Sequence, residues 1–260
     1  MHVQTGLKPM WRENKTILNS WLSIPNGFSA ELMARQGWDS LVIDMQHGLI
    51  DYRAAIEMIT AISTTPVVPL VRVPWLEPGQ IMSVLDAGAL GVVCPMVNTA
   101  DDAKRFVDCL RYPPLGQRSL GPIRASLVHG ADYRRNAAEL VTGFAMIETR
   151  QALDNLDAIL AVPELDAVYI GPSDLALGLG VEPQRDPTNP VVVDAIKHIL
   201  ARAKHHGVRA GCHTGAVAQG LKMAQLGFDF VTVESDARLL EAAAATAVKT
   251  FRQQTGASAA

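Results

Sequence analysis

One rhythm runs through this chain from Thr16 to Phe251: short apolar runs rich in β-branched residues alternate with amphipathic stretches. The strand-like runs begin near Thr16, Ser40, Pro66, Gly91, Gly143, Ala167, Val208 and Phe228. Between them, apolar residues recur at the helical period over Tyr52–Ile62, Gln80–Leu85, Ala100–Leu110, Asn155–Leu160, Val191–Lys204, Ala216–Leu226 and Ala237–Phe251. Several of these stretches start at Asp, Ser or Thr and several end at Gly, as capped helices do. Many strand-like runs are continuously apolar instead of alternating, which is the pattern of strands covered on both faces. Eight such β/α alternations with no linker or low-complexity break predict a single α/β domain over residues 1–260, with its core at about 16–251. A (β/α)8 TIM-type barrel with an N-terminal helical extension fits best, and a doubly wound open sheet is the alternative. The Ala/Ser-rich tail after Thr255 is expected to fray.

Composition removes several function classes. A net charge of −3 with no Lys/Arg block argues against a nucleic-acid or anionic-membrane partner. The N-terminal segment lacks the apolar core of a secretory signal, and no apolar run approaches the ~18 residues of a membrane span. The three cysteines, Cys94, Cys109 and Cys212, are scattered and odd in number, so neither a disulfide framework nor a structural zinc site is expected. The expectation is a soluble, cytoplasmic protein.

In a barrel of this type, chemistry sits where strands end and loops begin. Those ends carry Asp44-Met-Gln-His47, Arg72, Cys94 to Asn98, Glu148, Gly171-Pro-Ser-Asp174, His213 and Glu234. Glu148 and Asp174 each close an apolar run, so each sits half out of the core on successive strands. Hard divalent ions often take only one or two protein carboxylates, with waters and substrate oxygens filling the remaining positions. Either acid alone could equally be a helix N-cap. Arg72 lies in an apolar strand, where a guanidinium is costly unless paired. It is either a structural ion pair, with Asp44 the nearest candidate, or a fork for a carboxylate or enolate oxygen. His47 is a candidate general base, against the reading of a packed or surface histidine. Asp86 could orient it, or be an exposed helix-end acid. His213 could line a pocket or cap a turn.

Absences narrow the chemistry further. The lysines, at 8, 15, 104, 197, 204, 222 and 249, all lie away from the strand ends, so an imine mechanism is not expected. The last two strands lack a Gly-rich phosphate cradle, which disfavours a phosphorylated sugar. The rim suits a small, oxygen-rich acid chelated by a metal.

The runs Val42-Ile-Asp-Met-Gln-His-Gly48, Pro69-Leu-Val-Arg-Val-Pro74, Leu85-Asp-Ala-Gly-Ala89, Tyr112-Pro-Pro-Leu-Gly-Gln-Arg118, Ile147-Glu-Thr149 and Gly171-Pro-Ser-Asp-Leu175 resemble the HpcH/HpaI aldolase family. The similarity extends in order from about Trp21 to Glu234. It implies a class II aldolase that cleaves 4-hydroxy-2-oxo acids to pyruvate and a small aldehyde. By this resemblance Glu148 and Asp174 would hold Mg²⁺, Mn²⁺ or Co²⁺, and His47 would be the base, supported by Asp86. Arg72 would stabilise the pyruvate enolate, the backbone at Gly171, Pro172 and Ser173 would hold the pyruvate carboxylate, and Trp21 would be a pocket aromatic. The resemblance also implies a homohexamer whose C-terminal helices are exchanged between neighbours.

Three residues depart from the family pattern. Gln46 stands where many relatives have Glu, Met146 where a Gln is frequent, and His213 where an aliphatic residue often lines the aldehyde side. The pyruvate half is expected to be intact, and a polar His213 wall would favour a short hydroxylated aldehyde. Two alternatives remain at this level: a citrate-lyase β-like enzyme acting on acyl-CoA thioesters, and a non-catalytic barrel that binds small acids. The first predicts a basic nucleotide patch, for which Arg118 and Arg124 are the loop candidates.

Overall fold

In the computed structural model, which describes residues 4–255, the eight apolar runs become eight parallel strands in a closed barrel. They are β1 (Ile17–Leu22), β2 (Ser40–Asp44), β3 (Val68–Arg72), β4 (Gly91–Cys94), β5 (Thr142–Ile147), β6 (Ala167–Ile170), β7 (Arg209–Thr214) and β8 (Phe230–Ser235). Closure comes from β8 pairing with β1, where Ile17 faces Phe230 and Leu18 faces Val231. That pairing excludes the open doubly wound sheet. The tail after Thr255 lies outside the described residues.

Alternation along each strand decides what faces the lumen. Ile17, Trp21, Val42, Val68, Leu70, Val93, Phe144, Met146, Ala167, Tyr169 and Phe230 pack together as an inner cluster. The intervening residues face outward into a larger cluster beneath the helices. Period two then carries each inward row up to the rim, to Trp21, Asp44, Arg72, Glu148, Gly171, His213 and Glu234.

The helices are α1 (Lys8–Arg12), α2 (Gly27–Ala34), α3 (Tyr52–Ile62), α4 (Pro78–Asp86), α5 (Ala100–Leu110), α6 (Ile123–His129), α7 (Tyr133–Leu140), α8 (Arg150–Asp154), α9 (Leu156–Leu160), α10 (Pro172–Gly178), α11 (Pro190–His206), α12 (Val217–Leu226) and α13 (Asp236–Thr255). The N-terminal extension α1 closes the barrel floor. Its Trp11 reaches Phe144 at a ring separation of 5.9 Å and donates Nε1–H to the Asp229 carbonyl at 2.9 Å. The acid at the floor is paired: Asp166 accepts Arg111 Nη2 at 2.6 Å, the Gly143 N–H at 2.7 Å and Lys8 Nζ at 2.7 Å.

The last helix behaves differently. Of the residues in α13 only Asp236 is buried, while Leu240, Val248 and Phe251 are exposed. An apolar groove opens between β1 and α12, lined by Leu18, Trp38, Val217, Leu221, Ala224 and Val231. Trp38 Nε1 is buried there with no hydrogen-bond partner. No helix among the described residues is long and apolar enough to cross a membrane.

Candidate active site

The carboxyl ends of the strands surround one cavity of ≈ 280 Å³, whose walls include Trp21, His47, Arg72, Asp174 and His213. Arg72 ends β3 directly opposite Asp44 at the end of β2. Its Nε donates to Asp44 Oδ1 at 2.8 Å and its Nη2 to Oδ2 at 2.7 Å, a bidentate pair in which both partners are buried. The guanidinium also lies over the Trp21 ring, 4.1 Å from its centroid. Asp44 further accepts the backbone N–H groups of Gln46 and His47 at 3.1 and 3.2 Å, which fixes the turn carrying His47. The ion pair and the binding role expected of Arg72 are therefore compatible. Asp44 uses Nε and Nη2 and holds the plane still, and Nη1 is left without a protein partner among the described residues.

Glu148 follows β5 and is 2% exposed. Neither Glu148 nor Asp174 caps a helix. Thr149 caps α8, and Asp174 lies in the first turn of α10, exposed toward the cavity. Glu148 Oε1 accepts the Met96 N–H at 2.8 Å. Met96 reaches that position through a left-handed backbone, φ 57°, a conformation that costs a non-glycine residue about 1–2 kcal/mol. Oε2 rests against Gly171, where a Cβ would approach it to 2.6 Å, so only glycine admits the carboxylate here. Burial pushes the Glu148 carboxyl up to about 7, and the charge of Asp174 adds to the effect, against the Met96 N–H and Arg72.

Two neighbouring acids, one of them buried with its charge disfavoured by burial, fit a divalent cation. Among the described residues no cluster of three His, Cys, Asp or Glu ligands exists. Two carboxylates suit a hard ion that completes its shell with water and substrate oxygens.

The remaining wall is built by β7, β8 and the loop after α10. His213 Nδ1 lies 3.2 Å from Tyr169 Oη, and its ring meets Trp21 edge-on at 5.3 Å. Burial and the nearby guanidinium groups of Arg72 and Arg185 hold the imidazole down to about 4, so it is neutral at physiological pH. His213 thus lines the cavity and caps no turn. Arg185 comes over the rim and pairs with Glu234 at 2.6 Å. Its neighbour Asp186 anchors the same loop by accepting the Gly215 N–H at 2.7 Å. Glu234 has a left-handed φ of 56°, the second such residue at the rim. Asp236 ties the ends of β1 and β8 together, accepting the N–H groups of Ser23 at 2.8 Å and Ile24 at 3.1 Å.

One expected relationship differs. His47 is exposed at the cavity mouth, and its side chain makes no hydrogen bond to Asp86 within this chain. Asp86 instead accepts Arg118 Nη2 at 2.8 Å. Arg118, fully buried between the rings of Tyr112 and Tyr133, also donates to Tyr133 Oη at 3.0 Å. Arg124 donates to the Ala87 carbonyl at 2.6 Å. Both loop arginines are therefore consumed inside the fold, and neither forms the nucleotide patch that an acyl-CoA enzyme would need. No lysine is among the residues that line the cavity. Residues that sequence reasoning did not single out are Met96, Tyr169, Thr232, Arg185 and Asp236. The inward parity of β6 and β8 points to Tyr169 and Thr232, whereas nothing local marks Arg185 or the Met96 backbone.

The family model for HpcH/HpaI aldolase/citrate lyase matches residues 19–240. A hydroxypyruvate/pyruvate aldolase of Rhizorhabdus wittichii is 45% identical over 240 residues, 92% of this chain and 95% of that protein. A 4-hydroxy-2-oxo-heptane-1,7-dioate aldolase of Salmonella dublin is 34% identical over 92% of this chain and 91% of its own length. Among solved structures, an HpcH/HpaI aldolase/citrate lyase family protein from Burkholderia cenocepacia J2315 superposes with a TM-score of 0.88 at 32% identity, covering 95% of this chain and 98% of its own. With this cavity at its strand ends, the chain belongs to the HpcH/HpaI aldolase family.

Proposed function

We propose that this chain is a class II aldolase, a carbon–carbon lyase that reversibly cleaves 4-hydroxy-2-oxo acids to pyruvate and a small aldehyde, with a divalent cation (Mg²⁺, Mn²⁺ or Co²⁺) as its cofactor. The observation that carries this reading is the pairing of two acids, one of them raised by burial, with a buried guanidinium whose third nitrogen has no protein partner among the described residues. Glu148 and Asp174 would hold the cation, which when bound supplies Lewis-acid polarisation of the substrate's keto group. Every other role falls to the chain itself. Arg72, fixed by Asp44 and stacked on Trp21, presents Nη1 to the oxygen on which enolate charge develops; a preorganised donor of this kind stabilises that charge without reorganising. His47, at the open mouth, removes the proton of the C4 hydroxyl as the C3–C4 bond breaks. The first-turn N–H groups of α10, following Gly171 and Pro172 at Ser173, bind the pyruvate carboxylate. Asp86 acts on His47 only if a second chain brings an equivalent carboxylate to it.

The whole chain works as one catalytic unit in the cytoplasm. Its assembly is a homohexamer in which α13 of one copy covers the apolar groove beside β1 of another. The exposed Leu240, Val248 and Phe251 and the partnerless Trp38 Nε1 support that arrangement. A coupled pyruvate-release assay on a 4-hydroxy-2-oxo acid, with chelator added and then divalent cation restored, tests the function. Reversible loss of activity is expected. Turnover of CoA esters alone, or binding of the acid without turnover, would contradict it.

A further inference from the structure

Behind the cavity wall, the segment between β4 and α5 and the start of α8 form a clasp around Glu148. The Met96 N–H meets Glu148 Oε1 from a left-handed backbone. Two positions on, Asn98 Nδ2 donates to the Met96 carbonyl at 3.0 Å and secures that conformation. A carbonyl only accepts, so the amide nitrogen must face it and Asn98 Oδ1 must face Thr149. Thr149 Oγ1 accepts the Ala152 N–H at 2.9 Å and donates its own proton to Asn98 Oδ1. The segment is pinned again by Asp102 Oδ2, which accepts the N–H groups of Asn98 at 3.2 Å and Thr99 at 3.1 Å. Asn155 Nδ2 adds a bond to the Asn98 carbonyl at 2.9 Å. Thr149 directly follows Glu148, so one residue grips the segment while its neighbour receives that segment's N–H. On the other side, Oε2 rests against Gly171. Neither Asn98 nor Thr149 lines the cavity.

We propose that Asn98 is a positioning residue that, through the Met96 N–H, holds Glu148 to ligation by one oxygen and so sets the rim for a small octahedral cation against Ca²⁺. Thr149 is its partner in that role. The assignment rests on the cation reading above. Oε1 shares its electron density with an N–H, which leaves Oε2 the better donor and disfavours chelation by both oxygens. Mg²⁺ and Mn²⁺ take oxygens in near-octahedral geometry and need few carboxylates. Ca²⁺ accommodates about six to eight oxygens in flexible geometry and readily takes a carboxylate by both of its oxygens. Once Asn98 no longer holds Met96, Glu148 is free to turn both oxygens to the ion, and the larger cation gains.

Titration calorimetry of the full chain with Mn²⁺ alone and with Ca²⁺ alone tests the role without any turnover. The wild type is expected to bind Mn²⁺ more tightly than Ca²⁺. In Asn98→Ala the Mn²⁺ dissociation constant should rise roughly 10–100-fold, the range for disturbed support of a metal ligand. The Ca²⁺ constant should hold or fall, so the preference for Mn²⁺ shrinks by at least the same factor. Thr149→Ser, which keeps the hydroxyl, should retain the preference, and Thr149→Val should lose it. A clasp that serves stability alone would lower the melting temperature of Asn98→Ala and leave the Mn²⁺ to Ca²⁺ ratio unchanged; that result overturns the proposal. If Asn98→Ala does not fold, the Thr149 pair decides, and equal ratios in Thr149→Ser and Thr149→Val overturn it. A wild type that binds Mn²⁺ no better than Ca²⁺ overturns the selectivity while leaving the cation reading intact. A wild type that binds neither ion overturns the cation reading, and the role of Asn98 with it.

Discussion

Both ends of this barrel bury charge, but only one end leaves it unbalanced. At the floor, Asp166 is met by Lys8, Arg111 and the Gly143 N–H. Asp229 is met there by Arg209 at 2.8 Å and by the Ala210 N–H at 3.0 Å. Every such acid has cations or N–H groups to match it. At the rim, Glu148 faces another acid, its carboxyl is raised toward neutrality, and Met96 is held in a left-handed turn to support it. Arg72 is paired, yet one of its nitrogens is left over. Paired charge of the first kind holds the strands together, whereas charge of the second kind marks a candidate functional site. The same contrast is expected for barrels in general, where residues at the N-terminal face serve stability and those at the C-terminal face serve chemistry.

The largest break in this comparison should come from Glu148→Gln. Aldol cleavage is expected to fall by on the order of 10³-fold, the scale of losing a key electrostatic element. The cation-free protein should nevertheless melt no lower than wild type, because a raised, buried acid has been neutralised. Calorimetry with and without divalent cation checks both parts, since the stabilising shift on adding cation should vanish in the variant. The mirror experiment at the floor is Asp166→Ala, which strands Arg111 in the interior. Breaking a buried pair costs about 3–5 kcal/mol, so the melting temperature should drop by roughly 10 °C while activity per folded molecule is kept.

Smaller effects sharpen the boundary between the two ends. Gly171→Ala would place a Cβ against Glu148 Oε2 and displace it. Cation affinity, read by titration calorimetry, should weaken by about 10–100-fold, the range found when the support of a metal ligand is disturbed. The smallest effect concerns acid stability. His213, facing Arg72, Arg185, Asp44 and Asp186, has its folded value lowered from 6.5 to about 4. The unfolded chain therefore binds a proton first, and the contribution of neutral His213 is complete above pH 6.5 and is lost as pH falls toward 4. His213→Gln should flatten the stability profile in that window. Identical profiles for variant and wild type would contradict the placement of the ring.

The sequence displays the barrel clearly because its strands are continuous apolar runs, each found within about two residues of its start. Helices that follow the expected rule, such as α3 and α5, bury one face and show it. Helix α2 escapes detection because it buries Ala30 and Ala34 and leaves Phe28 and Leu32 exposed, the reverse of the usual pattern. Helix α6 likewise buries only Ala125 and exposes Ile123 and Leu127. Helix α10 hides behind Gly171-Pro-Ser, which reads as a turn. At the site, side chains that end a strand were legible, because parity and strand ends are local properties. The support around them was not. The Met96 N–H reaches Glu148 across 52 positions of sequence, and Arg185 meets Glu234 across 49. Asp86 was assigned to His47 by resemblance, yet within this chain it serves Arg118.

The central claim is that the unbalanced rim exists to hold a pyruvate enolate. Methyl-proton exchange of pyruvate in D₂O, followed by proton NMR in wild type and Arg72→Ala with cation present and chelated, tests it without any aldehyde. Exchange should require the cation and should disappear in Arg72→Ala. Exchange that survives at the wild-type rate in the variant, or after chelation, would contradict the account.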